Sequence, residues 1–462
     1  MTTNTSDLTD QPRPGFSSTL AVFRTRTFLY LWCGALISNI GNWMENAGQN
    51  WAVVSGVKDN PRLAALLTEV LNFADFAPVL LLALAAGVIS DRVDRRKWLL
   101  ILQSLACLLG AGLAVVGYMG LASPGVVIGF TAAEGVVWAF TGPTWLALVP
   151  AVAPREYLPR AVALNSVQFN LARLIGPVLA GLIILRWSVN LAFAINAATF
   201  VFVIAALFKI PPQPPRADRV RRHPVHDLKE GLRFVTTHRG IRQLAIMAII
   251  FMFLAAPVQG LLAVYAHQVL HGQSDLYGWM LGSIGLGSVL GALFLGRIPS
   301  YYPRHHLIPL AMTLFTIMAL AYSFSTIPLL SLPLLLMCGF FWLMALNSSN
   351  TANQLLASDE MRGRVMSVMF LCIQGSLPLG HLAAAGLTTL MPATWVLRGM
   401  LCVLFICTLV FLIRREPAID NLTRRQGIRR ESFGETIWEA ITADSHRPAR
   451  ASDSGEGPAE QA

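Results

Sequence analysis

The sequence predicts an all-α membrane protein, with twelve transmembrane helices arranged as two six-helix bundles. Three observations predict it. Of 462 residues, 55% are hydrophobic and only 13% charged, whereas a soluble domain carries about 25% charged residues; mean hydropathy is +0.57. Residues 305–358 contain no Asp, Glu, Lys or Arg, and residues 98–153 contain only Glu134. A helix needs roughly 20 apolar residues to cross the hydrocarbon core, so each run holds two crossings. The chain also repeats itself. Glu156 and Arg160 in REYLPRAVAL recur 204 residues later as Glu360 and Arg364 in DEMRGRVMSV, Gly176 has Gly380 at the same offset, and Gly87 has Gly291.

Taken in order, residues 1–27 form a polar amino-terminal segment. Residues 1–20 hold neither an apolar stretch nor a small-residue cleavage site, so the first span is expected to serve as its own insertion signal. The first bundle, 28–208, contains spans at 28–54, 63–90, 97–120, 125–150, 158–185 and 189–208. The loop 209–242 holds PPQPP, the basic run RVRRH, and Val225, Leu228, Leu232 and Val235 at helical spacing. That spacing fits an amphipathic helix on the membrane surface, with a solvated linker as the alternative. The second bundle, 243–413, contains spans at 243–267, 276–297, 306–325, 328–350, 363–388 and 393–413, and the tail 414–462 is biased toward disorder after about residue 445. The runs lack the alternating pattern of barrel strands, which excludes a β-barrel.

The net charge of +10 invites a nucleic-acid reading. Its distribution argues against one: Arg24, Arg26, Arg92, Arg95, Arg96, Lys97, Arg155, Arg160, Arg297, Arg304, Arg362 and Arg364 all fall on one side of the predicted spans. That asymmetry is the positive-inside rule and puts both termini in the cytoplasm of a cell with the chain in its inner membrane. The six cysteines lie within spans without ligand-like spacing and read as small buried hydrophobes, with no metal or disulfide implied. No G-x-x-x-x-G-K-[ST] occurs, so the chain brings no ATPase and no cofactor. GSIGLGSVLGALFLG, in the eighth span, reads as a packing face against the fifth.

Between the second and third spans, AAGVISDRVDRRK concentrates six charges in seven residues. It resembles the signature of the major facilitator superfamily, with Gly87, Asp91, Arg92, Arg95 and Arg96 in the motif positions and Asp94 where the family usually has a second Gly. The resemblance implies a conformational latch at the cytoplasmic ends of the two halves, with Asp359 and Glu360 as plausible partners. Gly would let the span approach a neighbour closely, and Asp91 could face a helix amino end. FRTRTFLYLWCGALISNIGNWM and PTWLALVPAVAPREYLPRAVALNSVQFNLARLIGPVLAG look like the exporter branch that includes enterobactin and macrolide exporters. Gly176, Pro177 and Gly181 in LIGPVLAG resemble the antiporter motif of the fifth span, which implies close helix packing. The proton-relay Arg of many drug antiporters is missing: the fourth span has Glu134 and no Arg.

Charges at mid-depth cost on the order of 3 kcal/mol and mark function by default. At 1.5 Å per residue, Asp75, Glu134 and Arg173 fall near the midplane, Glu45 somewhat outward, and Glu69 near the outer surface as a solvated mouth residue. Asp75 or Glu134 is the candidate proton carrier, with Arg173 as its charge partner; a static pair locking the first bundle is the alternative. His381 is either a titrating group or a hydrogen-bonded packing histidine. The expectation is a monomeric secondary transporter exporting small amphipathic or hydrophobic molecules by proton antiport. A same-fold importer or lysophospholipid flippase competes with it, as does a non-transporting receptor or assembly partner.

Overall fold

The computed structural model describes residues 21–57, 60–214, 224–298, 302–414 and 416–419. The tail beyond Ile419 and the basic run RVRRH lie outside the described residues. The first six long helices are α1 (Arg26–Gly56), α2 (Pro61–Arg92), α3 (Arg95–Tyr118), α4 (Pro124–Val152), α5 (Leu158–Arg186) and α6 (Val189–Phe208). A shorter α7 (Pro224–Thr237) leads into α8 (Arg239–Gly260), α9 (Ser274–Leu295), α10 (Arg304–Phe324), α11 (Pro328–Leu356), α12 (Arg362–Leu390) and α13 (Ala393–Arg414).

The sharp turns between helices are written in their first residues. Asn60 accepts the Leu63 N–H at 3.0 Å, and Pro61, Pro124 and Pro328 open their helices where no N–H partner is needed. Asp94, the departure from the family signature, caps α3 by accepting the Lys97 N–H at 3.1 Å. Its other oxygen accepts the Gln213 N–H at 3.1 Å and ties the end of α6 to the same turn.

Among the described residues, eleven helices are long and apolar enough to cross a membrane. The 31-residue α1 falls short because Asn39, Asn42, Glu45, Asn46, Gln49 and Asn50 crowd one side of it. The other helices turn Leu108, Leu293, Leu329 and Ile406 outward, all exposed, as a lipid-facing surface requires. Cys33 and Cys402 are exposed as well, so only part of the cysteine set is buried as expected; all six are free.

Helix pairing repeats between the two halves. In the first, α1 packs on α5 and α6, α2 on α4, and α3 on α4 and α6; in the second, α8 packs on α12 and α13, α9 on α11, and α10 on α11 and α13. The halves meet mainly along α2–α12 and α5–α9. The repeated glycines serve repeated contacts. A Cβ on Gly176 would lie 2.7 Å from the Ile40 carbonyl of α1, and one on Gly380 would run into the Phe253 carbonyl of α8. Gly181 and Gly278 bring α5 and α9 together: a Cβ on Gly278 would lie 2.6 Å from the Pro177 carbonyl.

The second half has the apolar interior, where Phe251, Phe315 and Trp342 form an aromatic cluster with ring centroids 5.0–5.5 Å apart. α8 is not continuous: it breaks after Gly260, resumes over Leu262–Val264 and ends in a π-turn, Tyr265–Val269. The linker helix α7 lies against α12, where Arg364 reaches Asp227 at 3.0 Å and Glu230 at 2.9 Å. Val235 is buried and Leu232 half-exposed, so only part of the amphipathic face is covered.

Candidate functional site

A cavity of about 2550 Å³ runs between the halves. At one end it is lined by Asp91, Arg92, Arg95, Asp227, Glu360 and Arg364, the basic end; its floor reaches Gln259, Tyr277 and His381. The opposite end is shut. There Trp51 stacks on Tyr277 with centroids 6.1 Å apart, the Ser274 hydroxyl donates to the Gly181 carbonyl at 3.0 Å, and Gln268 reaches the Pro61 carbonyl at 3.4 Å. Both halves mix polar and apolar lining. The first half contributes a polar wall, Glu45, Asn46, Gln49, Asp75, Glu134 and Arg173, beside Trp43, Phe76 and Trp138; the second contributes Met252, Leu281, Trp342, Phe370 and Leu377 beside Gln259, Asn350, Gln374 and His381.

The polar wall is organised by α1. Glu45, Asn46, Gln49 and Asn50 lie on adjacent ridges of one helix face. Asn46 donates to Asp75 of α2 at 3.1 Å, Gln49 to Glu134 of α4 at 2.7 Å, and Asn50 accepts from Asn72 at 2.9 Å. Asn196 of α6 donates to Glu45. Glu134 feels both Glu45 and Asp75 electrostatically, so the three acids form one group. Glu45 and Glu134 each keep one oxygen, Oε1, without a hydrogen-bond partner.

Arg173 is not brought to these acids. Its guanidinium lies over the Trp43 ring, 5.5 Å from the centroid, and no carboxylate stands within ion-pair distance of it among the described residues. The acids have taken amide partners instead. Glu69 is also misjudged by depth alone: it is fully buried, and His381 Nδ1 stands 2.5 Å from its Oε2. Rise along the axis places a residue in depth but ignores the neighbours that cover it from the side, here α8 and α12.

At the basic end the signature residues make local contacts. Asp91 and Arg95 are 3.8 Å apart, and Arg96 donates to the Leu207 and Phe208 carbonyls at 3.0 and 3.1 Å. Asp359 pairs with Arg362 of its own half at 2.7 Å. Gly87 has open space where a Cβ would stand, which corrects the expectation of a close helix approach there. His226, Asp227 and Glu230 bring ligand atoms within 4.8 Å of one another, but Arg364 engages both carboxylates.

The transmembrane secretion effector family, a branch of the major facilitator superfamily, matches residues 17–436. The Staphyloferrin A transporter of Staphylococcus aureus (strain NCTC 8325 / PS 47) is 27% identical over 358 residues, 76% of this chain and 87% of its own length. The Multidrug efflux pump Tap of Mycobacterium bovis (strain BCG / Pasteur 1173P2) is 27% identical over 323 residues, 68% of this chain and 77% of its own. Macrolide efflux protein A of Streptococcus pyogenes is 21% identical over 279 residues, 60% of this chain and 68% of its own. Among solved structures, a D-xylose-proton symporter superposes with a TM-score of 0.67 at 14% identity, covering 86% of this chain and 99% of that one. A bacterial homolog of the human lysosomal transporter Spinster, inward-facing and occupied, gives 0.64 at 12% identity, covering 87% and 97%. At such identities the likeness is one of fold.

Proposed function

The chain belongs to the transmembrane secretion effector family of major facilitator transporters, and on that premise we propose that it exports small amphipathic molecules by proton antiport with alternating access. It is a transporter of small molecules, not an enzyme. The observation that carries the proposal is the cavity lining, in which three acids of the first half stand among amides, aromatic rings and aliphatic side chains drawn from both halves. Hydrogen-bonding groups, protonatable groups and apolar area stand side by side in it, which is the chemistry an amphipathic guest needs.

In this reading all twelve long helices cross the bilayer as two six-helix bundles. α1 tolerates its polar face because that face lines the cavity rather than lipid. The basic end is cytoplasmic by the positive-inside rule, both termini lie on that side of the inner membrane, and the cavity is therefore inward-facing. Asp75 and Glu134, with Glu45 beside them, are the proton carriers, and Arg173 is a cavity cation. Gly87, Asp91, Arg92, Arg95 and Arg96 with Asp359 and Glu360 form the latch that closes the basic end when the other opens. The protein works as a monomer.

The test is growth of a host lacking its own exporters on a panel of antibiotics, dyes and siderophores, with and without the gene. Flux of each hit is then followed in everted vesicles under an imposed pH gradient. Export predicts gradient-dependent accumulation inside everted vesicles. Accumulation only in right-side-out vesicles would make the protein an importer, and no flux of any compound in either orientation would favour a non-transporting role.

A further inference from the structure

Among the described residues, the Glu69–His381 contact is the most deeply buried ionisable pair across the seam between the halves. The side chains are 0% and 3% exposed, and they join α2 to α12 across 312 residues of sequence. The surroundings are built around them. Phe76 stacks on the imidazole with ring planes 8° apart. A Cβ on Gly260 would stand 2.6 Å from Glu69 Oε1, so only glycine at the break of α8 leaves room for the carboxylate. Gly380, next to His381, packs equally tightly on α8.

Few other charges face the pair. From α2 itself Asp75 acts on His381 electrostatically. α1 and α4 contribute Glu45 and Glu134, which interact with each other. α13 offers Arg398, already held by the Ser323 carbonyl at 2.8 Å, and the π-turn offers His267, against Trp51. Asp227 and Glu230 of α7 hold Arg364 at the other end of α12, and α11 has no Asp, Glu, Lys or Arg. Among the described residues, no cation besides His381 is within ion-pair distance of Glu69, whose Oε1 has no hydrogen-bond donor. Without an added proton the seam would bury an uncompensated carboxylate, at heavy cost; with one, the pair is neutral overall.

We propose that Glu69 and His381 form a proton-binding site that locks the closed end of the transporter while it holds one proton. Parting α2 from α12 exposes both groups to water, where imidazole loses its proton above about pH 6.5 and a carboxyl above about pH 4.3. Opening therefore releases one proton above about pH 6.5 and none between about 4.3 and 6.5. By linkage, opening becomes easier by at most tenfold per pH unit above the upper limit. The site rests on the alternating access proposed above, but not on export or on proton antiport.

The experiment needs no substrate. Ala65 is fully buried one turn from Glu69, so A65C in the full chain, in nanodiscs, reports seam opening to a bulky maleimide. Rates are corrected by those of the same cysteine in unfolded protein and by the parent lacking it. The expected result is a flat rate from pH 5 to 6.5 that climbs toward pH 8.5. E69Q should label at least threefold faster at pH 6 and lose the climb. H381N leaves Glu69 to hold the proton alone and to shed it on opening above about pH 4.3, so it should also label faster but climb already between pH 5 and 6.5. D75N should keep the parent's profile, and G260A, which crowds the carboxylate but leaves both groups titratable, should label faster with that profile unchanged. A climb that survives in E69Q, or an H381N profile still flat from pH 5 to 6.5, overturns the lock. A cysteine that labels in no variant at any pH overturns it as well, together with alternating access; failed flux with the climb intact overturns only the export reading.

Discussion

Gln49 Nε2 stands 2.7 Å from Glu134 Oε2, an amide of α1 donating to an acid of α4, and one turn earlier Asn46 makes the same kind of contact with Asp75 at 3.1 Å. The choice of partner matters. An arginine would favour only the ionised acid. An amide can turn over, offering N–H to a carboxylate or C=O to a protonated acid. The arrangement therefore suits groups that must be stable both with and without a proton.

It follows that Glu134→Gln and Asp75→Asn should leave folded protein in the membrane but cut pH-gradient-driven flux at least tenfold. Flux of the panel hits in everted vesicles measures this, with membrane abundance as the control. Wild-type rates from both variants would remove these acids from proton coupling.

Arg173 carries a different expectation, because it neutralises no acid. A cation over an indole is worth about 0.5–2 kcal/mol, and the charge also sets the field inside the cavity. Arg173→Lys should retain part of the transport, and Arg173→Ala should lose most of it. Arg186→Ala, at the last turn of α5, should change little. Equal losses from Arg173→Ala and Arg186→Ala would deny Arg173 a special role.

The α5–α9 seam gives a packing prediction. Gly278→Leu drives a side chain into the Pro177 carbonyl, 2.6 Å from where its Cβ would stand, and overpacking of this kind costs about 1–3 kcal/mol. The thermal midpoint of the purified protein should fall and transport should slow. Gly399→Ala meets open space and should leave the midpoint unchanged or slightly raised, since alanine is the better helix former by about 1 kcal/mol. A midpoint for Gly278→Leu equal to that of the parent would mean the seam is looser than its geometry.

The helices were legible because membrane crossing is a property of local composition, which survives in any window of the sequence. The repeat was legible too: Gly176 and Gly380 turn out to seat equivalent helices, α5 on α1 and α12 on α8. Pairing was not. Asp75 and Glu134 could be placed near mid-depth, yet nothing in spacing told amide partners from Arg173. Glu69 was assigned to the mouth by axial rise alone. The signal that would have corrected it was present in His381, the one residue of the Asp, Glu, Lys, Arg and His set in the interior of its span, and in Gly260 at the end of another. Only the packing of α2, α8 and α12 puts those three together.

The remaining prediction concerns Asp91. In the open cavity the turn holds itself together, Asp91 near Arg95, while Asp359 holds Arg362 on the facing half. Closing the basic end would bring the two groups together and give Asp91 a contact with the facing half. A charge–dipole contact is worth about 0.3–2 kcal/mol, which is roughly a two- to thirtyfold change in the ratio of two states. Asp91→Asn should therefore enrich the state seen here. A cysteine at Ser166, which lines the cavity from α5, should label faster in this variant, and one at Ala65, sealed in the opposite seam, more slowly. Opposite movement of the two reporters is the signature of a latch, because a merely loosened fold would speed both. Rates unchanged at both positions, with flux intact, would reduce the charged turn to a topology signal and leave closure of the basic end to the Arg364 clamp on α7.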